Sequence, residues 1–242
     1  MKNKLIGFFQ GMGWYFWPQI AFWLVSVVFL FQQREKKAFL MLNAFHFPAI
    51  DHPLLWFTEL SGGYILVSLF VLLYARSRPA TAIMGGILIF ISWYAAITIK
   101  YNNFPHWKSP STYFKIEHIH FLGNQQLLPE LNFPSAHAAM IATLFTFTAW
   151  LYRHSKAEIF LTSFVVVFLS CTRIYTGWSY LGDIISGSIL GTAIGILTTV
   201  WLINKIERWY ERRNQWWQSI IPAILRTAAI CTILVNLKYF VI

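Results

Sequence analysis

The stretch TRIYTGWSYLGDIISGSILG, residues 172–191, decides the fold because it joins the end of one apolar segment to the start of the next through a short polar turn. Arg173 lies before the turn and Asp183 after it, in a chain whose only other aspartate is Asp51. The segment that follows has a glycine at every fourth position, at Gly187, Gly191 and Gly195. These glycines share one helix face and allow a close helix contact. The spacing predicts packing against the helix that begins near residue 136, which would bring Asp183 near His137.

The composition places the chain in a membrane. Hydrophobic residues make up 57% of it and charged residues 12%, whereas an average soluble domain is about 25% charged. Each crossing takes about 20 residues, so the 242 residues suit one domain of about six or seven spans. We therefore predict an all-α, polytopic membrane bundle.

Seven apolar windows can be identified, at residues 14–31, 63–74, 80–98, 136–152, 159–171, 184–203 and 220–242. The second and fifth are short for a span, so we expect both helices to begin earlier, with PLLWFTELSG extending the second. Lys2 and Lys4 precede the first window, as in a signal peptide, but no small-residue cleavage site follows. We therefore expect a retained first span.

The net charge of +10 is distributed between the apolar windows and not along a soluble face. This pattern indicates membrane topology and excludes nucleic acid as the expected partner. If the windows alternate, ten basic residues lie on one side, which we predict to be cytoplasmic: Lys2, Lys4, Arg76, Arg78, Arg153, Lys156, Lys205, Arg208, Arg212 and Arg213. Cys171 and Cys231 fall inside apolar segments, so they are expected to be buried thiols.

Unusual polar residues gather on the opposite side. The fourth window opens with NFPSAHAAMIATLF, which places Pro134 and Ser135 at a helix start. The unpaired backbone N–H groups of a helix start bind anions. His137 lies in the first turn, and topology places Lys100 and Arg173 on the same membrane face. These residues predict a phosphate site.

Three motifs resemble those of the type 2 phosphatidic acid phosphatase and haloperoxidase superfamily. PSAH at 134–137 is similar to its Pro-Ser-Gly-His motif, and TRIYTGWSYLGD at 172–183 to its Ser-Arg-x5-His-x3-Asp motif. Residues 100–110 resemble its first motif, a lysine followed by Arg-Pro. The similarity covers about residues 50–203 within a single membrane domain, 1–242. It implies six core helices and removal of phosphate from lipids at the outer face, so residues 204–242 would form a basic linker and an extra C-terminal helix.

The resemblance also implies roles for the matching residues. Lys100 and Arg173 would hold phosphate oxygens. Ser135 and the backbone N–H of Ala136 would complete this cradle. His137 would protonate the leaving oxygen.

Two positions depart from the family pattern. Asp183 would orient a histidine nucleophile four residues earlier, where this chain has Ser179. A serine attacks only with an adjacent base, and an aspartate is a poor one unless burial raises its pKa. The first motif has Ser109 in place of arginine, and the neighbouring Lys108 would supply charge without the bidentate fork.

Two functions therefore remain open. The first is recognition of a lipid phosphate or diphosphate at the extracytoplasmic face of a bacterial inner membrane, with hydrolysis weak or lost. The second is an active phosphatase or phosphotransferase with a non-standard nucleophile, acting on a phosphatidate, undecaprenyl diphosphate or lipid A type substrate. In both cases the partners are the lipid and the bilayer, no cofactor is expected, and the sequence does not indicate an oligomeric state.

The segment KIEHIHF, residues 115–121, offers a further alternative. Glu117, His118 and His120 lie close together, and alternation would place the two histidines on one face, as in a pair of metal ligands. No further ligand spacing supports a metal, so none is predicted. A replacement base or nucleophile could instead come from His118, His120 or His106.

Overall fold

The computed structural model describes residues 2–122 and 131–236. Its regular elements are α1 Lys2–Phe9, α2 Gly13–Gln33, α3 Glu35–Asn43, α4 Pro48–Leu60, α5 Gly63–Tyr74, α6 Pro79–Asn103, α7 Pro110–Tyr113, a 3-10 turn Ile116–His118, α8 Ala136–Leu151, α9 Lys156–Tyr175, α10 Leu181–Glu211 and α11 Gln215–Asn236. Within the described ranges the only strand-like pairing is an isolated bridge between Lys108 and Leu131. The prediction of an all-α, polytopic membrane bundle is confirmed.

Five helices are long and apolar enough to cross a membrane, namely α2, α6, α9, α10 and α11. A sixth crossing is formed if α4 and α5 count as one bent span, and α8 is a shorter apolar helix. The fifth window does begin earlier, at Lys156. The seventh window is helical over Gln215–Asn236, where it packs against α5, and residues 237–242 lie outside the described residues.

The prediction that the helix of the second apolar window begins earlier, with PLLWFTELSG, is only partly correct. PLLWFTELSG is helical up to Leu60, but α4 and α5 meet at a bend of 72° instead of forming one straight helix. The Ser61 hydroxyl donates to the Thr58 carbonyl at 2.9 Å, and the Gly62 N–H donates to the Glu59 carbonyl at 2.9 Å. These short-range bonds end α4, and the glycine pair that follows has weak helix propensity.

The glycine spacing correctly predicts how α10 packs. A Cβ added at Gly187 would overlap the Ser135 carbonyl, and one at Gly191 would overlap the backbone of Ala139. The Thr143 hydroxyl also donates to the Gly191 carbonyl at 2.8 Å. The two backbones therefore touch along the glycine face, and the start of α10 is fixed beside the start of α8.

The bundle has two different ends. At one end, the starts of α8 and α10 lie beside the last turns of α6 and α9. At the other end, a cavity of about 350 Å³ is lined by Arg78, Arg153 and Glu207, which come from the α5–α6 loop, the α8–α9 loop and α10. The predicted site residues and much of the predicted basic side thus lie at opposite ends.

Candidate functional site

Asp183 is a strongly fixed polar side chain at the first end. It lies in the first turn of α10 and is fully buried. Its Oδ1 accepts from the Trp107 indole at 2.8 Å. Its Oδ2 accepts from the Asn132 amide at 2.8 Å and from the Tyr180 backbone N–H at 3.0 Å. Three donors from three segments therefore hold the carboxylate, which compensates for its burial.

Lys100 and Ser135 lie around the same aspartate. Lys100 is in the last turn of α6, is 9% exposed and acts electrostatically on Asp183. The Ser135 N–H donates to the Asp183 carbonyl at 3.0 Å. Its hydroxyl caps α8 by accepting from the Ala138 N–H at 3.3 Å. The predicted cradle residue Ala136 follows this cap as the first residue of α8.

His137 is oriented by a partner from the bend between α4 and α5. Its Nε2 lies 2.8 Å from the Ser61 hydroxyl, whose proton is donated to the Thr58 carbonyl. The hydroxyl must therefore accept from His137, which assigns the Nε2–H tautomer or the imidazolium. In either form Nδ1 is the ring nitrogen left to face a ligand.

Arg173, at the end of α9, lies close enough to His137 to act on it electrostatically. It lies in the last turn of α9, and its guanidinium carbon is 5.1 Å from the Trp178 ring centroid. It acts electrostatically on both His137 and Glu59. The structure thus brings Arg173 and His137 into one site and adds an acidic side chain, Glu59, that was not among the predicted site residues.

Ser179 occupies the turn that joins α9 and α10. The turn uses Gly177 at φ 82°, a backbone conformation that favours glycine. The Ser179 N–H donates to the Arg173 carbonyl at 3.2 Å, and the residue is fully buried. Its hydroxyl has no hydrogen-bond partner in the described part of the chain. Ser179 is therefore not linked to Asp183, four residues later.

Lys108 and Ser109 follow Trp107, whose indole donates to Asp183. Lys108 is exposed and, with Glu35 and Trp107, lines a separate cavity of about 120 Å³. Ser109 is buried, and its hydroxyl lies 3.0 Å from that of Ser111. Among the described residues, no hydrogen bond or ion pair joins the Lys108 side chain to the residues of the predicted phosphate cradle.

Glu35 binds the start of α10 from outside that helix. Its carboxylate accepts from the Gly182 N–H at 2.8 Å. Burial raises the pKa of Glu35, and the Gly182 hydrogen bond opposes that shift. A carboxylate at a helix N-terminus is stabilised by the helix dipole, so α3 is anchored to α10 next to Asp183.

A second cluster contains His120 and the other aspartate. His120 Nε2 lies 3.0 Å from Asp51 Oδ1, which also accepts from the Tyr175 hydroxyl at 2.5 Å. The His46 ring stacks on His120 with centroids 4.1 Å apart. Of the three histidines considered as replacement bases, His120 is thus held by a carboxylate, whereas His106 and His118 are exposed. In the described ranges, no three His, Cys, Asp or Glu side chains gather as metal ligands; the expectation of no metal stays a prediction.

Sequence reasoning missed four residues of the site: Glu59, Ser61, Trp107 and Asn132. Two of them belong to or adjoin the motifs: Trp107 lies inside the 100–110 stretch, and Asn132 comes two residues before PSAH. The signal at Glu59 was a carboxylic acid in an apolar segment, which is functional by default. Ser61 gave no signal.

Known proteins resemble this chain in sequence and in fold. A family model described as PAP2 superfamily matches residues 53–207. LpxE from Aquifex aeolicus is 22% identical, with a TM-score of 0.54 over 69% of this chain and 95% of that one. A transmembrane PAP2 type phosphatidylglycerolphosphate phosphatase from Bacillus subtilis is 13% identical, with a TM-score of 0.54 over 85% of this chain and 100% of that one. A comparison with curated proteins finds no match.

Proposed function

The chain belongs to the PAP2 superfamily, and from that membership we propose that it recognises the phosphate or diphosphate head group of a lipid, with weak or lost hydrolysis. The head group lies at the extracytoplasmic face of a bacterial inner membrane, in the core formed by residues 50–203. One structural relative is named for its action on phosphatidylglycerolphosphate, a lipid phosphate. Beyond residue 203 the chain completes α10, which ends at Glu211, and then adds α11 as the proposed extra helix.

The arrangement around Arg173 supports phosphate recognition. Arg173 acts electrostatically on His137, and Lys100 acts on Asp183 at the adjoining helix start. Together with the N-terminus of α8 they offer two cations and backbone donors to one anion. Several donors converging from different helices are the arrangement that a phosphate requires.

The observation that carries the loss of turnover is the isolated Ser179 hydroxyl. A serine nucleophile needs a base within hydrogen-bond distance. The carboxylate that could serve, Asp183, instead accepts from Trp107, Asn132 and the Tyr180 N–H. Ser179 at the nucleophile position thus lacks the group that would remove its proton.

The active enzyme remains the second candidate because of His120. Because His120 Nε2 is hydrogen-bonded to Asp51, His120 Nδ1 would be the nitrogen that attacks phosphorus. Attack on phosphorus would form an Nδ1–P bond and break the P–O bond to the lipid, whose oxygen would take a proton from water and leave as the alcohol. A water molecule would then attack the same phosphorus, break the Nδ1–P bond and release phosphate.

Phosphate release and phosphate binding by the purified chain distinguish these functions. We expect saturable binding of a lipid phosphate with slow phosphate release from phosphatidate, undecaprenyl diphosphate and lipid A. Turnover at ordinary enzyme rates, about 1 to 10³ per second, would contradict the binding function. Ser179→Ala and His120→Ala would then identify the nucleophile, because only the correct one abolishes release.

A further inference from the structure

An apolar groove runs down the bundle from the candidate site. It has a volume of about 420 Å³ and lies between α5, α6 and α8. Six of its lining residues matter here: Gly63, Tyr64, Gly86, Phe90, Trp93 and Met140. The volume falls within the range of ligand pockets, about 300 to 1,000 Å³.

The upper end of the groove adjoins His137. Met140 follows His137 by three residues, which places the two side chains on the same face of α8. Gly63 follows Ser61, the hydrogen-bond partner of His137, by two residues. The groove therefore begins where the head-group site ends.

The groove extends to the depth of lipid chains. Along α6, Trp93 lies seven residues before Lys100 and Gly86 a further seven, so each step covers roughly 10 Å at 1.5 Å per residue. The walls at this depth carry the rings of Phe90 and Trp93. A molecule that reaches both ends needs an anionic head and an extended hydrocarbon chain.

Gly86 keeps the middle of the groove open. The adjacent Gly85 is a packing residue, because a Cβ there would overlap the Phe70 ring. A Cβ at Gly86 would meet nothing within 4 Å. Glycine in a helix interior costs about 0.5 to 1 kcal/mol relative to alanine, and helix packing gives no reason for that cost at Gly86.

We propose that this groove binds one hydrocarbon chain of the lipid whose phosphate occupies the head-group site, and this inference rests on the function proposed above. The hydrocarbon chain and the phosphate of the lipid are then both recognised by α6, which carries Gly86 as well as Lys100. The chain gains dispersion contacts with the aromatic walls. A phosphate without a chain binds the head-group site alone.

Gly86→Trp fills the groove and provides the test. Binding of alkyl phosphates of increasing chain length and of inorganic phosphate is measured for the wild type, Gly86→Trp and Gly13→Trp. Gly13 is the matched control because its Cβ also meets nothing within 4 Å. We expect Gly86→Trp to weaken the longest alkyl phosphate by roughly tenfold, about 1.4 kcal/mol, and to leave inorganic phosphate unchanged. Partition of the alkyl phosphates into detergent is the same for all three proteins and therefore cancels when their affinities are compared.

If the wild type and Gly86→Trp bind the longest alkyl phosphate with equal affinity, the groove does not bind the hydrocarbon chain, and the proposal of head-group recognition is unaffected. Absence of all phosphate binding by the wild type would overturn both. A wild-type measurement guards against misfolding of the variant: an alkyl phosphate with a photoreactive chain end should label peptides containing Tyr64, Phe90 or Trp93. Excess inorganic phosphate should suppress this labelling because it competes for the head-group site. Labelling that persists would mean that the groove takes up hydrocarbon chains as bulk lipid does, without the head-group site, and would contradict the proposal.

Discussion

At the scale of single residues, the proposal that the protein binds a lipid phosphate with little or no turnover depends on position 179. Ser179 lies in the turn before α10, next to the Tyr180 N–H that donates to Asp183, so we expect an imidazole at 179 to lie beside this carboxylate. A carboxylate offers about four acceptor sites, and three are used by Trp107, Asn132 and the Tyr180 N–H. One acceptor site therefore remains for a histidine N–H.

We expect Ser179→His to raise phosphate release from a lipid phosphate above the wild-type rate. An imidazole is nucleophilic near pH 7, and Asp183 would fix its tautomer. The gain is measured as inorganic phosphate released by each purified protein. Adding Asp183→Asn should remove it, and a gain that survives this second change would show that Asp183 does not orient the imidazole.

Ser109→Arg should increase the effect of Ser179→His. Absence of one charge-stabilising donor costs about 10²- to 10³-fold in rate, so the double variant should exceed either single one. Because Lys108 is exposed beside Ser109, Lys108→Ala serves as the control for the charge already present. Equal rates for the double variant and Ser179→His would mean that an arginine at 109 does not reach the phosphate.

At the scale of elements, the site depends on how closely α10 approaches α8. The Gly191 position contacts the backbone of Ala139, which cannot move away as a flexible side chain would. The same contact surface continues at Gly187 to the Ser135 carbonyl, at the start of α8. Packing between two helices thus determines the distance between the Asp183 and His137 segments.

Gly191→Ala should lower stability by about 1 to 3 kcal/mol, the usual cost of overpacking a tight contact. Gly86→Ala is the matched change in open space and should be neutral or slightly stabilising, because alanine has the higher helix propensity. Thermal unfolding of both variants in the same detergent measures the difference. Equal unfolding temperatures would contradict the close helix contact.

At the scale of the whole molecule, the site end and the basic end predict orientation. Lys108 lies near the site and Arg213 follows α10 at the far end. In a chain whose native cysteines are replaced by serine, Lys108→Cys should react with a membrane-impermeant maleimide in intact spheroplasts. Arg213→Cys should react only after permeabilisation, and the opposite pattern would reverse the proposed orientation.

Sequence patterns predict contacts that repeat along one element and miss contacts between distant ones. The glycines at 187, 191 and 195 indicated the α8–α10 packing because a missing side chain can be seen in the sequence itself. Nothing local to Glu35 indicates its hydrogen bond to Gly182, 147 residues away. The bend at Ser61 was missed for a similar reason, since hydrophobicity continues through it while the backbone bonds change.

The three donors to Asp183 have a consequence for the history of the chain. A buried carboxylate that accepts from Trp107, Asn132 and a backbone N–H cannot be replaced without leaving those donors unsatisfied, at a cost of about 1 to 3 kcal/mol for each. Natural selection for folding alone therefore retains Asp183, whether or not the protein turns over a substrate. The unbonded hydroxyl at position 179 carries no such constraint. If the chain has lost catalysis, as we propose, position 179 was free to change, whereas folding alone retains Asp183.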